Sequence, residues 1–188
     1  MALTTLDPVT ALLVVDLQKG IVGMAAKERT ADVVDRARLL VETFRRHGLP
    51  VALINVNGGA PGRTEQPRPK LGALPEDWTD FIPELNRQPT DLVVTKRTWG
   101  AFASTDLERR LRAAGVTQVV VLGIATGTGV EATARQAYEL GFNVTLAIDA
   151  MTDPRPEAHD YSLRHVFPRL GETGTSQEIV DLLQTRSP

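Results

Sequence analysis

Three places in the chain put reactive or permissive residues directly behind a short apolar run. Asp16 follows ALLVV (11–15), Lys96 closes DLVVTK (91–96), and the glycine-rich turn GIATGTGV (123–130) follows TQVVVLG (117–123). A carboxyl at such a boundary is costly if buried without a partner. It reads either as a structural acid capping a turn or as a group whose pKa partial burial raises, fit to give or take a proton. Lys96 by itself reads as a lysine whose stem lies along the surface; set at the same sheet edge as Asp16, it becomes a candidate for charge stabilisation. Arg97 and Trp99 follow it, and either could face a pocket. The glycines of the turn let backbone approach a ligand closely. The helix start behind them offers N–H groups to an oxyanion or carboxylate, and the competing reading is a turn needed only for packing.

These residues must be positioned by the elements around them. ALLVV suits a strand buried on both faces. The stretch 30–48 places apolar residues at Val33, Val34, Ala37, Leu40, Val41 and Phe44, a helical spacing that predicts a helix with Thr30 as N-cap and Gly48 as its stop. PVALINV (50–56) is the second strand and residues 57–76, rich in Gly, Pro and charge, are a long loop. A third strand over 91–96, a helix over 104–115 capped by Ser104 or Thr105, and a fourth strand over 117–123 follow. Then come a helix over 129–141, a fifth strand over 142–149, and helical patterns over 156–168 and 176–185. A short sixth strand falls near 167–170, where Pro168 opposes it. Strands alternating with helices imply right-handed crossovers and a mainly parallel sheet covered on both faces. Ligands of such folds bind beyond the carboxyl ends of the strands, which puts Asp16, Asn57, Lys96, the 124–129 turn and Asp149 in view.

The totals narrow the chemistry. The 188 residues fit one domain, with 42% hydrophobic and 23% charged residues, the balance of a globular chain. A net charge of −2 and the lack of a basic stripe with interleaved aromatics point away from nucleic acid and toward a small-molecule substrate. There is no cysteine, which excludes disulfides, thiolate metal sites and thiol catalysis. His47, His159 and His165 lack zinc-motif spacing, so no metal is expected and a surface or core role suits them. The first strand runs into DLQKG rather than GxGxxG, and no GxSxG elbow exists; neither a dinucleotide cofactor nor a serine hydrolase is expected. The N-terminus has no charged region before its apolar run, and no stretch approaches the roughly 20 apolar residues that span a bilayer. The expectation is a soluble, cytoplasmic protein that binds no membrane.

Taken together, LLVVDLQKG (12–20), VVTKRTWGAFASTDLERRLRAAGV (93–116) and VVVLGIATGTGVEATARQAYELGFNVTLAIDA (119–150) resemble the isochorismatase-like hydrolase superfamily. The resemblance implies a three-layer, Rossmann-like α/β/α sandwich around a six-stranded, mainly parallel sheet, with residues 1–188 as one domain, usually in a homodimer or homotetramer. It implies catalytic roles for Asp16 and Lys96. Gly129 falls where the amidase branch carries its nucleophilic cysteine, and Ile124–Ala125 falls where the family often has a non-proline cis peptide. Ile124, Ala125, Thr128 and Trp99 would border the substrate. Asn57 and Arg63 lie in the loop where isochorismatases keep a polar residue and an arginine. Without a thiol the acyl-enzyme route is closed. The isochorismatase branch also has glycine there, and its reaction, cleavage of a vinyl ether, needs an acid. The reading that follows is a cysteine-independent hydrolase acting on a carboxylate-bearing vinyl ether such as isochorismate. The alternative is a non-catalytic member that binds a small carboxylate or serves as a partner subunit.

Overall fold

The computed structural model describes residues 3–24, 27–66 and 74–185. Six strands form one parallel sheet: β1 (Thr10–Val15), β2 (Val51–Val56), β3 (Leu92–Lys96), β4 (Gln118–Ile124), β5 (Asn143–Thr152) and β6 (Glu172–Gly174), in the order β3-β2-β1-β4-β5-β6. The order reverses between β1 and β4, whose register pairs Thr10 with Gln118 and Val15 with Gly123. In open parallel sheets that reversal leaves a crevice at the carboxyl ends, and Asp16 and the glycine turn both leave the sheet there.

The helices are α1 (Lys19–Met24), α2 (Lys27–Arg46), α3 (Leu107–Ala113), α4 (Glu131–Glu139), α5 (Pro156–Tyr161) and α6 (Ser176–Gln184). All six residues of β1 are buried, because alternate side chains point to opposite faces and both faces are covered. Ala11, Leu13 and Val15 join a core with Leu107 and Leu111 of α3, Ala134 and Ala137 of α4, and Phe167. Leu12 and Val14 join a second core with Ala37, Leu40, Val41 and Phe44 of α2 and Ile179 and Leu183 of α6. The result is the α/β/α sandwich expected from the strand–helix alternation.

Some expected boundaries move. Thr30 is not an N-cap: it is buried inside α2, which runs back to Lys27. The charged start KER carries no apolar period, so the pattern becomes visible only from Val33. At the other end Gly48 takes the left-handed φ of 65° expected of a helix stop. The helix expected from 104 begins at Leu107, whose N–H reaches Thr105 Oγ1 at 3.2 Å. The sixth strand lies at Glu172–Gly174, whereas Phe167–Arg169 is a single 3-10 turn. Pro168 fits that turn, and ETG has no apolar run to announce a strand. α1, which buries no residue, falls where no helix was expected. Among the described residues, no helix is long and apolar enough to cross a membrane.

Candidate active site

β1 ends abruptly at Asp16, which adopts φ 55° while its N–H donates to the Ile54 carbonyl at 2.8 Å. A short polar side chain tolerates this left-handed conformation, at a cost of roughly 1 kcal/mol or more. Two strands away, Lys96 closes β3 on the face shared with Val94. Its Nζ donates to Asp16 Oδ2 at 2.7 Å and to the Thr98 carbonyl at 3.2 Å. Both residues are enclosed, Asp16 being 5% and Lys96 1% exposed.

The turn after β4 completes the cluster. Gly123 sits beside Val15 at φ 125°, where a Cβ would fall onto the Val15 carbonyl; only glycine lets β4 end this close to β1. The Ile124–Ala125 peptide is cis. Residues Thr126–Val130 then form one wide turn that feeds α4. Gly129 comes to lie against the carboxyl: a Cβ there would stand 3.0 Å from Asp16 Oδ2 and 3.2 Å from Val15 Cγ1. Thr133 of α4 donates to the Gly129 carbonyl at 2.7 Å and accepts from the Ala101 N–H at 3.2 Å. The loop behind Lys96 and the turn bearing Gly129 are thereby tied together.

The electrostatics follow from the burial. Desolvation pushes the Asp16 carboxyl up to about 6, against the pull of the Lys96 ammonium. One oxygen is held by Lys96, while the other, Oδ1, is buried without a hydrogen-bond partner. A buried polar atom left in that state is uncommon. The group holds its proton up to about pH 6, well above the ordinary carboxylate range, and one of its oxygens is not committed to a hydrogen bond.

Asp16, Lys96 and Gly129 are brought together, with Ile124 buried and Ala125 and Thr128 half-buried beside them. Thr128 N–H donates back to the Ala125 carbonyl at 3.1 Å. The Asn57 and Arg63 side chains are exposed, and among the described residues no hydrogen bond joins them to the three; the Asn57 N–H donates to the Lys96 carbonyl at 3.0 Å. Trp99 is 67% exposed. Asp149 does not belong to the cluster, because β5 runs on to Thr152. Its carboxylate accepts from Ser176 N and Oγ at 2.7 Å and pairs with Arg36 Nε at 3.0 Å. A cavity of about 500 Å³ lies elsewhere, against Asn55, Asp80, Phe81 and Arg87. Among the described residues, no group of three or more His, Asp or Glu is placed to hold a metal ion.

Sequence reasoning missed three residues that shape this end of the sheet. Gln18, fully buried, donates to the carbonyls of Val56 and Trp78 and accepts from the Val56 N–H, clamping β2 to the 74–82 segment. A glutamine two places after a buried acid was the available signal. Asp153 and His159 reach the glycine turn from the far side, across more than 25 residues of chain, and no local pattern announces them.

The Isochorismatase domain family matches residues 10–178. The chain is 42% identical over 178 residues to the uncharacterized isochorismatase family protein YwoC of Bacillus subtilis (strain 168), covering 92% of this chain and 93% of that one. Over 180 residues it is 41% identical to the uncharacterized isochorismatase family protein YecD of Escherichia coli O157:H7, covering 93% and 96%. Its fold matches an isochorismatase family protein from Burkholderia thailandensis with a TM-score of 0.89 at 38% identity, over 96% of this chain and 98% of that one. Likeness spread over more than nine-tenths of both partners is whole-chain likeness, and the chain belongs to the isochorismatase family of hydrolases.

Proposed function

We propose that this hydrolase works without a nucleophile, cleaving a vinyl ether on a small, carboxylate-bearing substrate such as isochorismate, with Asp16 as the acid. The observation that carries the reading is the state of Asp16: buried, held by Lys96 through one oxygen, unpartnered at the other, and raised to about 6. A chain with no cysteine has no thiolate for acyl transfer. A carboxyl whose affinity for its proton is raised by burial instead suits protonation of an enol-ether methylene carbon.

The steps balance without any co-reactant but water. Asp16 gives its proton to the methylene carbon, which becomes the methyl group of an oxocarbenium ion. Water adds to the cationic carbon, and the hemiketal collapses to pyruvate and a hydroxy acid that keeps its ring oxygen. The water's surplus proton returns to the Asp16 carboxylate. Lys96 fixes the carboxyl and offsets its charge once the proton has left. Gly129, lacking a side chain, can lie directly against Asp16 Oδ2, the oxygen that Lys96 holds, and so helps to enclose the acid. Thr128, Ile124 and Ala125 form the wall beside it, and Asn57, Arg63 and Trp99 stand further out as candidates to meet the substrate's polar groups.

The test is pyruvate release from isochorismate, followed by a coupled assay at high enzyme concentration, wild type beside Asp16→Asn. Release that depends on Asp16 is the expected result. No release from folded wild type would remove isochorismate as substrate and favour a binding role for the site.

A further inference from the structure

The turn that places Gly129 over Asp16 is held from outside by the segment after β5. Thr126, the first residue of the turn, is fully buried. Its Oγ1 lies 2.9 Å from His159 Nδ1, on α5. The next residue, Gly127, donates its N–H to Asp153 Oδ2 at 2.8 Å, and Asp153 is itself buried and braced by the Arg155 N–H at 2.9 Å. A Cβ on Gly127 would stand 3.1 Å from Ala158 Cβ, so α5 packs directly on the turn. The bond between Thr126 and His159 is side chain to side chain, and it comes from the same helix whose Ala158 packs on Gly127. Shape alone could have been met by any apolar residue. A buried hydroxyl, however, needs a partner, and a ring nitrogen supplies one in a single direction, which pins the start of the turn.

We propose that His159 is a positioning residue of the Asp16 site: acting through Thr126, beside the fixed Asp153–Gly127 bond, it sets how closely Gly129 seals the Asp16 carboxyl. The inference rests on the reading of Asp16 as the working acid, and it gives His159 a place in that reaction. If His159 lets go, the turn relaxes outward, water reaches the carboxyl, and the acid loses the enclosure that keeps its proton.

Because the chemistry depends on the substrate, the primary readout does not. The Asp16 carboxyl is titrated by carbon NMR in wild type, His159→Leu, His159→Asn and Thr126→Val, with thermal unfolding of each recorded alongside. Asn offers a polar atom close to where Nδ1 stands, whereas Leu offers none; Val keeps the shape of Thr without the hydroxyl. Wild type is expected to titrate near 6. In His159→Leu and Thr126→Val the midpoint falls toward the ordinary value of about 3.9, and His159→Asn stays near wild type. The double variant Thr126→Val/His159→Leu falls no further than either single variant, since both remove the same bond. Where isochorismate is turned over, kcat drops about tenfold or more in the two disrupting variants with KM little changed. Should His159→Leu fail to fold, the smaller change Thr126→Val decides. An Asp16 titration unchanged in folded His159→Leu or Thr126→Val, or lowered equally in His159→Asn, overturns the proposal. Absence of turnover in wild type counts against the vinyl-ether reading and leaves the titration result standing.

Discussion

Two carboxylates in this molecule are buried beside a cation at an end of β3, and they differ in one respect. Asp91, just before the strand, has both oxygens occupied: Arg45 Nε donates to Oδ1 at 3.0 Å, and Arg45 and the Gln88 N–H donate to Oδ2 at 2.6 and 2.7 Å. Arg45 adds bonds to the Leu85 carbonyl, so the pair locks α2 to the chain entering β3. Asp16, paired with the lysine that ends the same strand, has one oxygen occupied and one left over. A planar guanidinium saturates a carboxylate in a fork, while an ammonium meets it at a point. The first arrangement spends the whole acceptor capacity on holding the fold. The second leaves an acid whose desolvation is incompletely offset, and that is the state in which a carboxyl keeps a proton near neutrality.

The comparison breaks if the two pairs respond alike to substitution. Asp16→Asn is expected to lower turnover by about 10²–10⁴-fold, the usual range for a lost general acid, while circular dichroism shows a folded chain. Arg45→Met is expected to do the reverse. It strands the Asp91 charge in a buried site and lowers unfolding stability by about 3–5 kcal/mol, measured by urea titration, with kcat unchanged in the protein that remains folded.

A pH series sharpens the same contrast. With Asp16 acting in its protonated form, as proposed, kcat/KM should be level below about 6 and fall tenfold per unit above it. Stability moves in the same sense. The folded-state pKa lies above the ordinary carboxylate value, so the folded state holds the proton more tightly than the unfolded chain. The stabilisation is fully present below about pH 4 and is lost as pH rises to about 6. The change is about 3 kcal/mol for a shift of some two units at a buried site. Asp16→Asn should lack that segment of the stability curve. A smaller effect belongs to a region outside the comparison. Thr175 caps α6 in a reciprocal arrangement with Glu178, and Thr175→Ala should cost about 1 kcal/mol with no effect on either pH profile.

The contrast also marks what could be read in the chain. Asp16 and Lys96 were legible because a charged residue ending an apolar strand is conspicuous and a parallel sheet gathers strand ends at one edge. Their contrast with Asp91 and Arg45 was not, since which oxygen is left unpaired depends on side chains that only the fold brings together. Asp149 misled for a related reason. The register between β4 and β5 jumps from Val121–Leu146 to Gly123–Met151, an irregularity no pattern of apolar residues encodes. It frees Asp149 to serve the start of α6 and leaves Asp153 to serve the turn. The long strands and α2 were readable from burial that repeats along the sequence. α1 and β6 were not, being short elements with little of their own to bury. His159 lies 33 residues from Thr126, and its contact exists only once α5 has packed on the turn.

The central claim is that Asp16 protonates carbon and leaves the ring oxygen in place. Hydrolysis of isochorismate in ¹⁸O-labelled water, with mass analysis of the released dihydroxy acid, tests it directly. Carbon protonation followed by hydration puts the label into pyruvate and leaves the hydroxy acid unlabelled. Label in a hydroxyl of the dihydroxy acid would mean that water had attacked the ring carbon, and Asp16 would have to be given a different role.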